Sequence, residues 1–160
     1  MRKLLAVALF MLPIAAVAAD APALPDYAKT LDEVTAAGET GGPGGSGNAK
    51  VQVVTILGDP SKPGPYSQLL KVGAGAKIPA HHHEGDRVGT VLKGTWHFGF
   101  GPKFEEDKLK TLPVGSVYTE PSEAPHFAMT AEEPVVVLIT GFGPTDTVYE
   151  NPSDDPTAHK

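Results

Sequence analysis

From residue 51 onward, the chain alternates short runs of β-branched and aromatic residues with turns rich in glycine and proline. The strand-like runs are VQVVTIL, YSQLLKV, RVGTVLKG, TWHFGF, SVYTE and PVVVLITGF. The segments between them, such as GDPSKPGP, GAGAKIPA and PSEAP, are typical of turns. Only KFEEDKLK could form a helix, and Gly101 and Pro102 limit it to a turn or two. Many short strands at regular spacing predict an all-β domain, either a sandwich or a small barrel.

The 160 residues leave room for a single folded domain. The segment GETGGPGGSGNAK contains six glycines and a proline, a composition that behaves as a flexible linker. We therefore predict a flexible N-terminal segment over residues 20–50, the folded domain over residues 51–145 and a polar C-terminal tail over residues 146–160.

The first 19 residues resemble a secretory signal peptide. Arg2 and Lys3 precede the apolar run LLAVALFMLPIAAV and the small residues AADAP, and we place cleavage near Ala18 or Ala19. The run contains a proline and is shorter than the roughly 20 residues of a membrane-spanning helix, so a stable membrane anchor is the less favoured alternative. We expect an exported protein, periplasmic or secreted.

Charge and cysteine content exclude several functions. Cleavage after Ala19 would leave 11 basic against 19 acidic residues, a net charge of −8. An acidic chain is repelled by phosphate backbones, so we expect no nucleic-acid partner. The sequence contains no cysteine, which excludes thiolate catalysis and cysteine metal ligands. Without disulfides, the domain must rely on its apolar core.

Three consecutive histidines stand in the segment IPAHHHEGDRVGTVLKGTW. Residues two apart in an extended chain share one face, so His81 and His83 point to one side and His82 to the other. Imidazole nitrogens bind divalent iron, manganese, nickel and zinc. His126, which follows a proline-bounded turn in EAPHFAM, is the candidate third ligand. The alternatives are a polar loop for the first pair and a packed core histidine for His126.

Both histidine segments resemble sequence motifs of the cupin superfamily. GAKIPAHHHEGDRVGTVLKG is similar to the first motif, G-x5-H-x-H-x3-4-E-x6-G, and GSVYTEPSEAPHFAMT to the second, G-x5-P-x-G-x2-H-x3-N. The residues in register are Gly75, His81, His83, Gly94, Gly115, Pro121 and His126. The resemblance implies a cupin-type double-stranded β-helix, a jelly-roll barrel, with a divalent transition metal on the three histidines. Cupins include dioxygenases, isomerases and non-catalytic proteins, so the resemblance selects no reaction.

Arg87 stands where the cupin pattern places a glutamate ligand. A guanidinium is always protonated and has no lone pair, so Arg87 cannot bind a metal. Glu84, Asp86 or Glu120 could supply the carboxylate instead, and Glu120 is the first candidate because its strand should line the barrel. The site could also consist of three histidines only, or be empty. Arg87 would form an ion pair with Glu120 or Asp86, or bind a carboxylate or phosphate of a ligand.

The interior of such a barrel is a natural site for a small-molecule ligand. The candidate lining residues, with core packing as the alternative, are Tyr66, Trp96, Phe98 and Tyr118. The candidate catalytic residues are His97, Arg87 and Tyr118. His97 would act as an acid or base if it faced the pocket, but the alternation in TWHFGF also fits a surface or core histidine.

Three functions stay open on the sequence. The first is a metal-dependent oxygenase or isomerase acting on a small polar or anionic molecule. The second is a protein that binds a ligand or metal without turnover, and the third is a cupin scaffold in which an ion pair of Arg87 replaces the metal. The resemblance also raises a homodimer formed through edge strands, although the sequence gives no interface for it.

Overall fold

The computed structural model describes residues 25–158. In that part of the chain, eleven strands form two antiparallel sheets, accompanied by one short α-helix, α1 (Leu31–Thr35), and two 3-10 turns. The strands are β1 (Glu39–Thr40), β2 (Val51–Leu57), β3 (Gly64–Val72), β4 (Lys77–His82), β5 (Arg87–Lys93), β6 (Trp96–Phe100), β7 (Lys110–Leu112), β8 (Val117–Glu120), β9 (His126–Met129), β10 (Val135–Gly143) and β11 (Val148–Tyr149). The 3-10 turns are Glu106–Lys108 and Pro152–Asp154.

The strand order places the core between two facing sheets. The six-stranded sheet runs β1-β2-β3-β10-β5-β8, and the five-stranded sheet runs β11-β4-β9-β6-β7. The chain crosses between sheets several times, for example from β4 to β5 and from β8 to β9. Buried side chains from both sheets form one apolar cluster. The predicted all-β jelly-roll domain is confirmed.

The strand-like runs of the sequence correspond to six of these strands, namely β2, β3, β5, β6, β8 and β10. Alternation then decides which side chains enter the barrel. In β8, Tyr118 and Glu120 are buried, whereas Val117 and Thr119 between them are exposed. Because β8 pairs with β5 in an antiparallel ladder, the inward side chains of the two strands lie next to each other.

Helix α1 covers part of the outer face of the six-stranded sheet. Its Val34 is buried and packs with Leu69 of β3 and Val136 of β10 in a second apolar cluster. The helix begins with a capping box, in which Thr30 and Glu33 satisfy each other's backbone N–H groups. This cover explains why β10 reads as the continuous apolar run VVVLI, since its central residues meet apolar neighbours on both faces.

The structure differs from the expectation of a flexible segment ending at residue 50. Residues 41–47, which we call the glycine strap, lie against the barrel, and Gly44, Ser46 and Gly47 within it are buried. The side-chain amide of Gln68 donates a hydrogen bond to the Pro43 carbonyl over 3.2 Å. Glycines are common in flexible linkers, but here their missing side chains allow close contact with the barrel.

The predicted boundary between domain and tail at residue 145 also differs from the structure. Val148 and Tyr149 form β11, which pairs with His82 and His81 of β4 at the edge of the five-stranded sheet. The Tyr149 hydroxyl donates a hydrogen bond to the Ser46 carbonyl in the glycine strap. The folded unit therefore extends on both sides of the predicted domain, because long-range contacts hold segments whose composition is polar.

The predicted signal peptide, residues 1–19, lies outside the described residues. Within residues 25–158, no helix is both long and apolar enough to cross a membrane.

Candidate metal centre

Three buried histidines from two neighbouring strands meet inside the barrel. His81 lies in β4 and His83 directly follows that strand, while His126 opens β9 and is paired with His81 across the ladder. The two-residue spacing brings His81 and His83 to the same side, and His82 between them points outward to Glu150. We call His81, His83 and His126 the histidine cluster.

The rings of the histidine cluster converge closely. Ring centroids are 5.1 Å apart between His81 and His83, 4.5 Å between His81 and His126, and 5.1 Å between His83 and His126. One nitrogen from each ring can be chosen so that all three lie within 4.8 Å of one another. His83 and His126 are each 1% exposed, so the nitrogens do not face bulk water.

Backbone carbonyls fix the tautomer of every ring in the cluster. The Nδ1 atoms of His81, His83 and His126 contact the carbonyls of Pro79 (2.8 Å), Asp146 and Ala124 (3.0 Å), respectively. A carbonyl can only accept, so each Nδ1 carries the proton and each Nε2 keeps its lone pair. The Nε2 atoms of His83 and His126 are buried without a hydrogen-bond partner among the described residues.

Burial keeps the histidine cluster neutral. Burial, reinforced by the neighbouring His126, lowers the pKa of His81 to about 3. Burial, reinforced by the positive charge of Arg87, lowers the pKa of His83 to about 2. Burial also lowers the pKa of His126. Neutral imidazole is the form that binds metal ions.

A carboxylate faces the cluster from the opposite sheet. Oε2 of Glu120 lies 3.5 Å from Nε2 of His83 and 3.8 Å from Nε2 of His126. Each of these three atoms is an electron-pair donor under the tautomers above. Such an arrangement is unfavourable unless the atoms share a cation. Of the three acids considered from the sequence, Glu120 is the one that faces the histidines, because Glu84 and Asp86 are exposed at the surface.

Arg87 is the partner of this carboxylate. Its position on β5 is directly opposite Glu120 on β8, and its Nε donates to Oε2 of Glu120 over 2.6 Å. Both residues are 4% exposed. Nη1 of Arg87 donates to the Gly44 carbonyl over 3.0 Å. The ion pair considered from the sequence is therefore present, and it also attaches the glycine strap to the barrel.

The ion pair controls the charge of both partners. Burial alone would raise the pKa of Glu120, but the charge of Arg87 and its hydrogen bond outweigh burial and hold that pKa well below its usual range. Burial alone would lower the pKa of Arg87, but the charge of Glu120, its hydrogen bond and the nearby Tyr66 and Tyr118 together outweigh burial and raise that pKa. Both groups are therefore ionised, and their charges cancel.

Trp96, Phe98 and Tyr118 line the same cavity as His81, His126 and Glu120. Tyr66 is buried in the surrounding core but does not line this cavity. Burial raises the pKa of Tyr118 well above its usual value, and the negative charge of Glu120 raises it further, so the hydroxyl keeps its proton.

The structure does not bring His97 to the cluster. Its neighbours Trp96 and Phe98 are buried, whereas its own ring is half-buried on the other face of β6, with Nδ1 3.4 Å from the Thr111 hydroxyl. Strand alternation accounts for this position, because Trp96 and Phe98 occupy the inward side.

The cavity beside the cluster is small and closed. Its volume is about 20 Å³, close to the space of a single water molecule. Gly44 and Ser46 of the glycine strap form part of its wall. Together with Asp146, whose carbonyl orients His83, these are site residues that sequence reasoning missed. Gly44 and Ser46 lie in a stretch that is indistinguishable by composition from a linker, so no sequence signal marked them.

These observations fit a divalent transition metal. Three neutral imidazoles aim lone pairs into one region, and a carboxylate stands beside them, a donor set that suits first-row divalent ions. The buried Nε2 atoms of His83 and His126 would otherwise lack partners, at about 1–3 kcal/mol each. The chemistry of the donors does not distinguish iron, manganese, nickel and zinc.

Neither a protein-family model nor a curated protein sequence matches the chain. Among solved structures, the polyketide cyclase RemF from Streptomyces resistomycificus is similar with a TM-score of 0.57 and 17% identity, over 68% of this chain and 76% of RemF. The salicylate 1,2-dioxygenase from Pseudaminobacter salicylatoxidans is similar with a TM-score of 0.53 and 15% identity, over 65% of this chain and 32% of the dioxygenase.

The DMSP lyase DddQ from Ruegeria pomeroyi DSS-3 gives a TM-score of 0.51 and 20% identity, over 59% of this chain. The match covers 47% of the lyase, so this chain spans about half of the lyase's length. At these identities, the similarity concerns the fold.

Proposed function

This chain has the fold of the cupin superfamily, to which its structural neighbours belong, and from that premise we propose that it is a metal-dependent cupin enzyme. The metal is held by Nε2 of His81, His83 and His126. The observation that carries the proposal is the orientation of these rings: all three Nδ1 atoms bond to backbone carbonyls, which leaves the Nε2 lone pairs free.

Glu120 is the carboxylate of the proposed site. In the cupin pattern the acid precedes the closing glycine of the first motif, where this chain has Arg87 instead. The two residues face each other across β5 and β8, so the carboxylate comes from the neighbouring strand. Arg87 keeps Glu120 ionised and fixes Oε2 on the side of the histidines.

The proposed reaction is that of an oxygenase or an isomerase on a small polar or anionic molecule. A bound divalent ion with open positions would supply Lewis acidity or oxygen chemistry. The fold is shared with a cyclase, a dioxygenase and a lyase, so it does not choose the reaction. The chain's own contribution is a buried site in which Arg87 and Glu120 cancel in charge, so the ion leaves an excess positive charge that suits an anion.

A second candidate is a non-catalytic scaffold. It is favoured by the buried ion pair of Arg87 with Glu120 and by the cavity of about 20 Å³, since neither needs a metal or a substrate to be stable. In that function, Arg87 would be the cation that satisfies Glu120, and the histidine cluster would be part of the core.

Metal analysis separates the two candidates. The untagged protein is purified, dialysed and measured by plasma mass spectrometry, with His83→Ala and His97→Ala as matched variants. We expect about one equivalent of a transition metal in the wild type and in His97→Ala, and loss of nearly all of it in His83→Ala. Metal-free wild type, or unchanged metal in His83→Ala, would establish the scaffold instead.

The role of Glu120 needs its own variant. Glu120→Gln keeps the shape but removes the charge, and we expect it to weaken zinc binding at least about tenfold in a competition titration with a chelating dye. Glu84→Gln is the control, because Glu84 is exposed. Equal zinc affinity in wild type and Glu120→Gln would show that the site consists of histidines only.

We also propose that the protein is exported. The layout of residues 1–19 supports removal of a signal peptide, and N-terminal sequencing of the protein recovered from outside the cytoplasm tests it. A mature chain that still begins at Met1 would contradict export.

A further inference from the structure

The proposed metal site has no open path to solvent. The histidine cluster and Glu120 are each at most 6% exposed, and the cavity beside them has a volume of about 20 Å³, close to the space of one water molecule. A metal site inside a protein needs an entry path, and so does any substrate that reaches the ion. Part of the cavity wall must therefore move before the site can act.

The glycine strap is the part of this wall that lies outside the sheets. Thirteen residues line the cavity, and eleven of them belong to strands, where ladder hydrogen bonds hold the backbone. The other two are Gly44 and Ser46 of the strap. Moving any of the eleven would disturb a sheet, whereas moving the strap would leave the strands paired.

The strap is a loop whose two ends are fixed in one sheet. Thr40 of β1 pairs with Gln52 of β2, so the chain leaves the sheet and returns to it at neighbouring positions. Gly41 and Gly42, at the start of the strap, have φ values of +88° and +82°, and a Cβ added at either residue would have no atom within 4 Å. Glycine adopts positive and negative φ about equally readily, so these two residues can act as a hinge.

Three side-chain hydrogen bonds hold the middle of the strap against the barrel. The donors and the strap carbonyls are Gln68 with Pro43 (3.2 Å), Arg87 with Gly44 (3.0 Å) and Tyr149 with Ser46. When the strap swings away, water can take the place of each carbonyl, so opening exchanges these bonds and does not leave the donors unpaired. The buried strap residues are glycines and a serine, which bury little apolar surface. Opening should therefore need far less free energy than unfolding of the barrel.

We propose that the glycine strap is a lid, which opens while the barrel stays folded and admits the metal ion and the substrate to the histidine cluster. The space that Gly44 and Ser46 vacate lies beside the ion and is where the substrate would lie. The inference rests on the proposed function for what enters, but the opening itself needs no metal.

The opening is measured in metal-free protein by the reactivity of a single thiol. The sequence contains no cysteine, so Ser46→Cys places one thiol in the strap, and Val137→Cys places one in the middle of β10 as the matched control. Both positions are buried. With the free energy of unfolding of each variant measured in parallel, we expect an aromatic disulfide reagent to label position 46 at least about a hundredfold faster than position 137. Equal labelling rates would show that the strap leaves only when the barrel unfolds, and would overturn the inference.

Tyr149→Phe separates opening of the strap from direct exposure of the thiol. It removes the hydroxyl that holds the Ser46 carbonyl and keeps the ring beside His81. Loss of this hydrogen bond should speed the labelling of position 46 about threefold to tenfold. Tyr27→Phe, at an exposed tyrosine outside the strap, is the control and should leave the rate unchanged. An unchanged rate in Tyr149→Phe would mean that the reagent reaches the closed strap, and would overturn the inference.

Cobalt kinetics connect the lid to the metal site. The strap supplies none of the proposed metal ligands, so Tyr149→Phe should raise the rates of cobalt uptake and of cobalt release to a chelator by the same factor, about threefold to tenfold. The affinity for cobalt should stay within twofold of wild type. Unchanged cobalt rates beside faster thiol labelling would show that the ion enters elsewhere, which would overturn the inference and leave the metal site intact. A wild-type chain that binds no cobalt would overturn both.

Discussion

The buried ion pair of Arg87 and Glu120 offers the sharpest test of the energetics of the site. The perturbation is a double-mutant cycle on metal-free protein, with Arg87→Met, Glu120→Leu and the combination of both. Each single variant leaves a full charge about 4% exposed inside the barrel without its partner. The double variant removes both charges.

The magnitude follows from this burial. Removing one member of a buried ion pair typically lowers the free energy of unfolding by about 3–5 kcal/mol, whereas replacing both members by apolar residues is often neutral. Arg87→Met also removes the donor of the 3.0 Å hydrogen bond to the Gly44 carbonyl, which adds about 1 kcal/mol. Independent effects, about 3–5 kcal/mol for each variant plus about 1 kcal/mol for the lost hydrogen bond, would sum to about 7–11 kcal/mol. We expect the double variant to lose about 1–3 kcal/mol, a coupling of roughly 4 kcal/mol or more.

The assay is equilibrium unfolding in urea with a chelator present, followed by the fluorescence of Trp96. Lys62 and Asp59 provide the control pair, since their atoms are also 2.6 Å apart but lie at the surface, so their coupling should be small beside that of the buried pair. Additivity of the Arg87 and Glu120 variants to within about 0.5 kcal/mol would refute the reasoning.

Three further predictions concern the histidine cluster, the packing of the tyrosine and the strap. Folding of the metal-free protein lowers the pKa values of His81 and His83 to about 3 and about 2, so their contribution to stability is complete above pH 6.5. As the pH falls from 6.5 toward 5, each of these two histidines should lower the free energy of unfolding by about 1.4 kcal/mol per pH unit, and urea midpoints that stay constant over this window would contradict the prediction. Gly89→Ala should lower the free energy of unfolding by about 1–3 kcal/mol, because the added Cβ would overlap the ring of Tyr118. Gly73→Ala is the control and should be nearly neutral, because the atom nearest to its Cβ is 3.5 Å away. Equal denaturation midpoints in the two variants would disprove the overlap. Gly44 has a positive φ, and Gly44→Ala would place a methyl group 2.9 Å from Nη1 of Arg87, so the substitution should loosen the glycine strap. We expect bound cobalt to pass to a chelator faster in stopped-flow measurements. An unchanged release rate would show that the strap does not close the site.

The periodicity of apolar residues in the sequence was sufficient to predict most strands of the barrel. The run VQVVTIL coincides with β2, because β-branched residues in alternation leave few other conformations. The spacing of His81 and His83 indicated a shared face, since side chains two apart in a strand always lie on the same side. Their meeting with His126 followed from the resemblance of both motifs and needed no distance information.

The remaining features depend on contacts that no local pattern encodes. Glu120 meets the histidines because β8 pairs with β5 in a particular register, and register is a property of two strands. The strap at Gly44 looks like a linker in composition, and only its hydrogen bond from Arg87, 43 residues away in sequence, distinguishes it. The alternation of TWHFGF left His97 undecided between pocket and surface until the burial of Trp96 and Phe98 fixed the inward face.

The carbonyl that orients His83 belongs to Asp146, and the hydroxyl that holds Ser46 belongs to Tyr149, 103 residues further along the chain. On any nascent chain that stops short of Asp146, the ring of His83 therefore lacks the carbonyl that orients it. Contacts of such long range form late in folding, after the loops between them have closed. Binding of the proposed metal would consequently follow synthesis of the whole domain.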